Sequence, residues 1–196
     1  MIAAIILAAG QSRRMGQPKM VLPWGKLTVI EHVITVFQRA GIEDILVVTG
    51  ADREQVEHAL EPYTIRFVHN QEYRYGEMLS SLQHGLRGMK PEAEATLIGL
   101  GDQPQVQEST VRLVMGAHLQ NRTGLVVPSF QKRRGHPWLA ARSLWGELLS
   151  MSPPASLRDF LNQHSAEIDY VNLDTSSILA DLDTPHDYER FRPLQD

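Results

Sequence analysis

Unbroken apolar runs alternate along the chain with stretches whose apolar residues recur every three or four positions. Ile2 to Ala9 is the first run, too short to span a membrane and the length of a strand buried on both faces. Thr28 to Arg39 then carries Val29, Ile30, Val33, Ile34 and Phe37 at helical spacing, with Thr28 placed as a cap and Glu31 three residues on. Asp44 to Thr49 returns to strand character, and Gly50 punctuates it. A short helix over Arg53 to Leu60 stops before Pro62, and Ile65 to His69 predicts a third strand. Met78, Leu79, Leu82 and Leu86 mark a helix, and Ala95 to Leu100 a fourth strand. Thr110 to Gln120 predicts a helix through Val111, Val114, Met115 and Ala117, and Leu125 to Pro128 another strand. Ser143 to Ser150 and Ser156 to His164 read as helices separated by Ser152-Pro153-Pro154. Ile168 to Leu173 reads as a strand, and His186 to Phe191 as a last helix begun by Thr184-Pro185. The alternation predicts an α/β fold with a mostly parallel sheet. No repeat, low-complexity tract or linker interrupts it, so one domain is expected over 1–196.

Composition narrows the classes. At 196 residues and 42% hydrophobic, the chain supports one sizeable core. The net charge of −4, from 19 basic and 23 acidic residues, argues against nucleic-acid binding by bulk charge. The absence of cysteine excludes disulfides, thiolate metal sites and a thiol nucleophile. The apolar start lacks a preceding basic region, since Arg13 and Arg14 follow it, and no segment approaches 18 apolar residues. A soluble cytoplasmic protein with no membrane partner is expected.

The candidate chemistry begins where the first strand ends. Ala8, Ala9, Gly10 and Gly16 are small, Arg13, Arg14 and Lys19 are cationic, and no acid precedes Glu31. Small residues let backbone N–H groups approach oxyanions, arginine grips phosphate bidentately, and lysine follows it as a point charge. The loop reads either as a phosphate cradle or as a solvated turn. Its spacing is neither GxxxxGK[ST] nor GxGxxG. Asn70 falls at the end of the third predicted strand, as a turn former or a pocket residue. Asp102, straight after the fourth strand, reads as a turn carboxylate or as a hard-oxygen ligand for Mg²⁺ beside a phosphate. Lys132 to Pro137 reads as a hairpin with a basic tip or as an anion site. The acids near Thr184-Pro185 read as helix caps or as a second metal carboxylate.

LAAGQSRRMGQPK, Leu7 to Lys19, resembles the signature LAAGxSxRMGxxK of nucleotidyltransferases with the GT-A-like fold, and most of all the MobA/MocA group. Four further segments resemble that group. They are Asn70 with Gly76, Met78, Ser80 and Ser81, GDQP at 101–104, RGHP at 134–137, and DLDTPHDY at 181–188. Glu77 departs from the pattern by separating Gly76 from Met78. The resemblance implies a three-layer, Rossmann-like nucleotidyltransferase domain. It implies nucleotide binding by Leu7, Ala8, Ala9, Gly10, Arg13, Arg14, Gly16, Lys19, Asn70, Ser80, Ser81 and Asp102. Arg14, Lys19 and Asp102 would be catalytic, Asp102 and Asp183 would hold Mg²⁺, and Arg134, Gly135 and His136 would face the acceptor. It further implies transfer of a nucleotide to molybdopterin with release of pyrophosphate, and a transient contact with a molybdoenzyme. Ala9, in LAAG rather than LAGG, resembles the cytidylyl branch, so CTP is the expected nucleotide. Transfer of another nucleotide to a sugar phosphate, and non-catalytic cofactor delivery, are the alternative readings.

Overall fold

The computed structural model describes residues 1–75 and 77–193; Gly76, singled out above, lies outside them. The chain begins with β1 (Ile2–Ala8) and the phosphate-loop candidate, then folds the small hairpin β2 (Pro23–Trp24) and β3 (Leu27–Thr28). Next come α1 (Val29–Arg39), β4 (Ile45–Thr49), α2 (Arg53–Ala59), β5 (Arg66–His69), α3 (Met78–Arg87), β6 (Ala95–Leu100) and α4 (Glu108–Asn121). The second half holds β7 (Leu125–Phe130), β8 (Arg133–Arg134), β9 (Trp138–Ala141), α5 (Trp145–Ser150), α6 (Leu157–Gln163), β10 (Ile168–Asn172) and α7 (Pro185–Phe191).

One sheet runs in the order β10-β7-β9-β6-β1-β4-β5, with β8 paired to β7. β6, β1, β4 and β5 are parallel to their neighbours in that group, and β10 is parallel to β7. β9 runs antiparallel between β6 and β7. The mostly parallel α/β fold expected from the sequence is therefore the one observed, with helices on both faces.

Alternation along β1 explains its unbroken apolar character. Ala4, Ile6 and Ala8 pack with Val33 and Phe37 of α1, Val56 of α2, and Val111 and Val114 of α4. Ala3, Ile5 and Leu7 pack on the other face with Leu79 and Leu82 of α3, Trp145 and Leu148 of α5, and Phe160 of α6. A strand buried on both faces has no solvent side on which to place polar residues.

Some elements differ from expectation, and β7 runs two residues further, to Phe130. α4 starts two residues earlier, at Glu108, because Gln107 is extended and the carbonyl of Gln107 already accepts from Thr110 and Val111. The segment from Ser143 is a short 3-10 turn, Arg142–Leu144, before α5 begins. β2 and β3 were too short to carry a periodic signal, although Gly25, at φ +64°, marks their turn.

The C-terminal segment crosses back to the start of the chain. Leu182 is buried with Met15, Leu22, Trp24 and Val29, and Tyr188 and Phe191 of α7 pack against that cluster. The Tyr188 hydroxyl donates to the Pro23 carbonyl at 2.6 Å. Thr184 caps α7 reciprocally with Asp187, so the acid at 187 serves the helix end. Among the described residues, no helix is long and apolar enough to cross a membrane.

Candidate active site

The loop after β1 is shaped by Ser12, which adopts φ +48°. Its carbonyl accepts from Met15 N at 3.0 Å and Gly16 N at 3.1 Å, and Gly16 follows at φ +72°, where glycine avoids a Cβ clash. The Ser12 hydroxyl accepts from Lys19 N at 3.2 Å and donates to Asp52 at 3.3 Å. Burial pushes the Asp52 carboxyl up, against the Ser12 hydrogen bond that favours its charged form. Ser12 therefore ties both ends of the loop to the start of α2. It was not among the residues expected from the sequence, although the signature contains it.

Asp102 and Asp183, 81 positions apart in sequence, meet at Lys19. The Lys19 ammonium lies 2.5 Å from Asp102 Oδ2 and 3.3 Å from Asp183 Oδ1. Arg14 Nη2 donates to the other Asp183 oxygen at 2.8 Å. Backbone bonding delivers the pair: Leu182 N donates to the Asp102 carbonyl at 3.0 Å. Gln103 Nε2 reaches Asp181 Oδ1 at 2.6 Å and the Ile178 carbonyl at 3.4 Å. Burial works against the Lys19 charge, but Asp102 and then Asp183 outweigh it, and the ammonium is held above its usual range. Burial pushes Asp181 up, against its Gln103 hydrogen bond, with Asp102 and Asp183 adding to the rise.

The donor set suits a hard divalent cation. Two carboxylates already converge on one positive centre, the Lys19 ammonium. Among the described residues no third His, Asp or Glu joins them in a metal-binding group. Two carboxylates leave the remaining positions to water and phosphate oxygens, as Mg²⁺ sites prefer.

Two cavities meet at this centre, and a third adjoins one of them. One of about 280 Å³ is bounded by Gly10, Ser12, Arg13, Arg14, Lys19 and Asp183. A second, of about 220 Å³, is lined by Leu7, Ala9, Gly10, Ser81, Leu100 and Asp102, with Lys19 shared. The first is polar and cationic, suited to a phosphate chain; the second has the apolar walls a base or sugar needs. Met78 lies between the second and a cleft of about 880 Å³ that holds Arg134, Gly135 and His136.

The expected nucleotide residues do not all stand in the same relation to these cavities. Ala8 is buried on the α1 side of β1, so it can offer a ligand only its backbone. Gly16 shapes the turn. Arg13 is exposed and holds Gln11 Oε1 through Nε at 3.1 Å and Nη2 at 2.9 Å. Asn70 is fully buried, and its amide serves the loop before α3. It donates to Ser81 Oγ at 3.0 Å and accepts from Glu72 N at 2.9 Å and Ser80 Oγ at 3.4 Å. Ser80, whose hydroxyl donates to Asn70 Oδ1 and Glu72 Oε2, each at 3.4 Å, does not line the second cavity; Ser81 does. Met20, Tyr73 and Leu100 also line it and carried no signal in the sequence beyond ordinary core spacing.

In the large cleft, Gly135 passes so close to the C-terminal segment that a Cβ would lie 2.4 Å from the Ile178 carbonyl. His136 N donates to the same carbonyl at 3.3 Å. Burial lowers the His136 ring to about 4, so it is neutral at physiological pH. The basic stretch forms the expected hairpin, with Gln131 and Lys132 at φ +49° and +64°, and its residues also wall the cleft.

Comparison with known proteins shows the family and the fold. The profile of the MobA-like NTP transferase domain matches residues 4–168. The molybdenum cofactor cytidylyltransferase of Escherichia coli K12 is 28% identical over 190 residues, covering 95% of this chain and 93% of that protein. The nicotine blue oxidoreductase of Paenarthrobacter nicotinovorans is 30% identical over 192 residues, covering 93% and 92%. Among solved structures, Rv0371c of Mycobacterium tuberculosis H37Rv superposes with a TM-score of 0.85 at 27% identity, covering 96% of each chain. The same protein has been solved as a manganese complex, at a TM-score of 0.81 and 26% identity over 97% of each chain.

Proposed function

Because the chain belongs to the MobA-like NTP transferase family, and is therefore a nucleotidyltransferase, we propose that it transfers CMP from CTP to a molybdopterin-type cofactor, releasing pyrophosphate. The observation that carries this reading is the Lys19 ammonium between Asp102 and Asp183, at the junction of a cationic cavity and an apolar-walled one.

The triphosphate lies along the loop, with Arg14 and Lys19 on its anionic oxygens and backbone N–H groups from Gly10 onward cradling it. Asp102 and Asp183 are the residues that would hold Mg²⁺, and the ion would supply neutralisation of phosphate charge there. An oxygen of the acceptor's phosphate monoester attacks the α-phosphorus. The bond from that phosphorus to the β-phosphate oxygen breaks, and pyrophosphate departs with the electron pair. The attacking phosphate is already anionic near neutral pH, so no side chain must remove a proton. Lys19 and Arg14 stabilise charge that grows on the leaving group, and the loop and Ser81 fix the nucleotide for in-line attack. The acceptor occupies the large cleft, beside Arg134, Gly135 and His136. A cytoplasmic setting, with ready access to CTP, fits this reading. Ala9 in the wall of the second cavity favours CTP over GTP by resemblance to the cytidylyl branch.

Pyrophosphate release from purified protein, Mg²⁺ and molybdopterin, compared across CTP, GTP and ATP, tests it. Release with CTP alone is the expected result. Release with GTP alone would overturn the base assignment, and release only with a sugar phosphate in place of molybdopterin would overturn the acceptor.

A further inference from the structure

The large cleft has a charge pattern that one reacting phosphate does not use. Lys132, Arg133, Arg134 and Arg158 all line it, and no carboxylate does among the described residues, in a chain whose net charge is −4. A cleft walled by one sign of charge concentrates ligands of the other.

Arg134 is held in place rather than left to solvent. Its Nε donates to the Tyr170 hydroxyl at 2.9 Å and its Nη1 to Asn162 Oδ1 at 2.8 Å. The guanidinium carbon also lies 5.7 Å from the centre of the Tyr170 ring. Both hydrogen-bond partners are neutral. The arginine is therefore oriented without being neutralised, and its Nη2 has no protein partner among the described residues. An arginine fixed by neutral groups in a concave wall is prepared for a planar, bidentate oxyanion.

Position separates this arginine from the chemistry. Asp102 follows β6, while Tyr170 belongs to β10, three strands along the same sheet. Three strand spacings amount to about 14 Å. A single phosphate cannot lie at both places.

We propose that the outer end of the cleft, around Arg134, Tyr170 and Asn162 with Arg158 beside them, binds a second oxyanion carried by the acceptor, remote from its reacting phosphate. The acceptor is then a phosphate monoester of extended shape, anionic at both ends. The inference rests on the reading of this cleft as the acceptor site. Tyr170 and Asn162 are positioning residues in it, acting through Arg134.

Amide shifts in ¹⁵N-labelled protein titrated with inorganic phosphate test the anion site without turnover. Two separate groups of signals are expected to move, one at residues 10–19 and one at 158–162 with 170–172. Arg134→Gln should abolish the second group and leave the first, and its otherwise unchanged spectrum would report an intact fold. Arg14→Gln should weaken the first group alone. In turnover, Arg134→Gln should raise the acceptor KM about tenfold and leave the CTP KM unchanged, the size expected for a charge-assisted hydrogen bond. Arg134→Lys should not rescue it, because an ammonium cannot keep both the Tyr170 and the Asn162 bonds. Cleft signals that stay still under phosphate would overturn the proposal. Cleft signals that move only with an acidic peptide would also overturn it, marking the cleft as a protein-docking surface. Absence of turnover with molybdopterin, with the phosphate shifts intact, would instead count against the acceptor named above.

Discussion

Lys19 and Asp102 form a 2.5 Å ion pair that also reaches Asp183 at 3.3 Å, so one ammonium joins the end of β6 to the C-terminal segment. Removing it as Lys19→Met leaves two carboxylates facing each other, both less than one-third exposed. The variant should lose about 2 kcal/mol without metal, since an unpaired buried charge is costly. For a chain of this length that is a fall in Tm of about 4–8 °C. Millimolar Mg²⁺ should restore much of it, because the cation takes the place of the lost ammonium. Turnover should fall by about 10²–10³, as when one stabiliser of transition-state charge is deleted. The Lys19 pKa is raised on folding, so its contribution is present below the ordinary lysine value of 10.5 and disappears as pH rises through the higher folded value. Wild type and variant should converge in strongly alkaline solution. A metal-free variant as stable as wild type would show that Lys19 does not hold the carboxylates together.

His136 lies in the large cleft with its ring held at about 4. A neutral imidazole does not gain or lose a proton between pH 6 and 8.5, so kcat/KM over that range should keep the same shape in His136→Gln. Stability behaves differently. The depressed pKa makes the folded state reluctant to take the proton that the unfolded chain accepts below 6.5. The stability His136 permits is therefore present above 6.5 and declines as pH falls toward 4. That slope should be absent in the glutamine variant. A break in the wild-type rate profile near 6.5 that vanishes on substitution would assign His136 the acid–base part this geometry denies it.

At the opposite end of the strands from the loop, Asp44 is 6% exposed and receives Arg66 at 3.0 and 2.9 Å and Lys90 at 3.1 Å. Burial opposes its charge, but the Arg66 and Lys90 hydrogen bonds outweigh it and lower the carboxyl pKa. Its stabilisation is present above the ordinary value of 3.8 and is lost as pH falls through the lower folded value. Asp44→Asn should cost about 3 kcal/mol at pH 7, as for one partner removed from a buried ion pair. The difference from wild type should shrink below pH 3.8. The CTP KM should not change, because this end of the sheet carries no part of the site. Equal urea midpoints for wild type and Asn variant at pH 7 would contradict the assignment.

Much of this was legible because period and position carried it. The two-faced burial of β1 demanded an unbroken apolar run, and the amphipathic stripe of α1 followed from Val29, Ile30, Val33, Ile34 and Phe37. Lys19, Asp102 and Asp183 were legible as chemistry through the resemblance of LAAGQSRRMGQPK, GDQP and DLDTPHDY to the nucleotidyltransferase segments, since position alone left them equally a turn cation, a turn carboxylate and a helix-cap acid. Their meeting at one ammonium was not legible. It depends on Leu182 entering the cluster with Met15 and Trp24, a contact between distant segments that no local period encodes. Ser12 was missed because a serine in a loop gives no pattern of its own; its role depends on φ and on Asp52, 40 residues on. Asn70 reads from the sequence as a turn former or a pocket residue; its amide is occupied by Ser81, Ser80 and Glu72, contacts that depend on the fold of the intervening loop. Tyr170 comes to Arg134 because β10 and β8 both pair with β7, and Asn162 comes to it from α6, again long-range events.

Gly10 and Gly50 separate a glycine kept for a ligand from one kept for the fold. A Cβ on Gly50 would lie 2.4 Å from the Ala9 carbonyl, backbone against backbone, so no side chain can rotate away. Gly50→Ala should therefore cost at least ~2 kcal/mol through displacement of β1 or β4. A Cβ on Gly10 would meet nothing within 4 Å, and the residue has no positive φ. Nothing in the protein requires glycine there. Gly10 borders both small cavities, and its missing side chain leaves the backbone open to whatever occupies them. Gly10→Ala should leave stability unchanged or raise it by about 0.5 kcal/mol, since alanine restricts the unfolded chain. The added methyl should nonetheless raise the CTP KM about tenfold by holding the phosphates away from the loop amides. Thermal unfolding and steady-state kinetics on the two variants check both halves. A Gly10→Ala protein with wild-type CTP KM would mean that the triphosphate does not run along this loop.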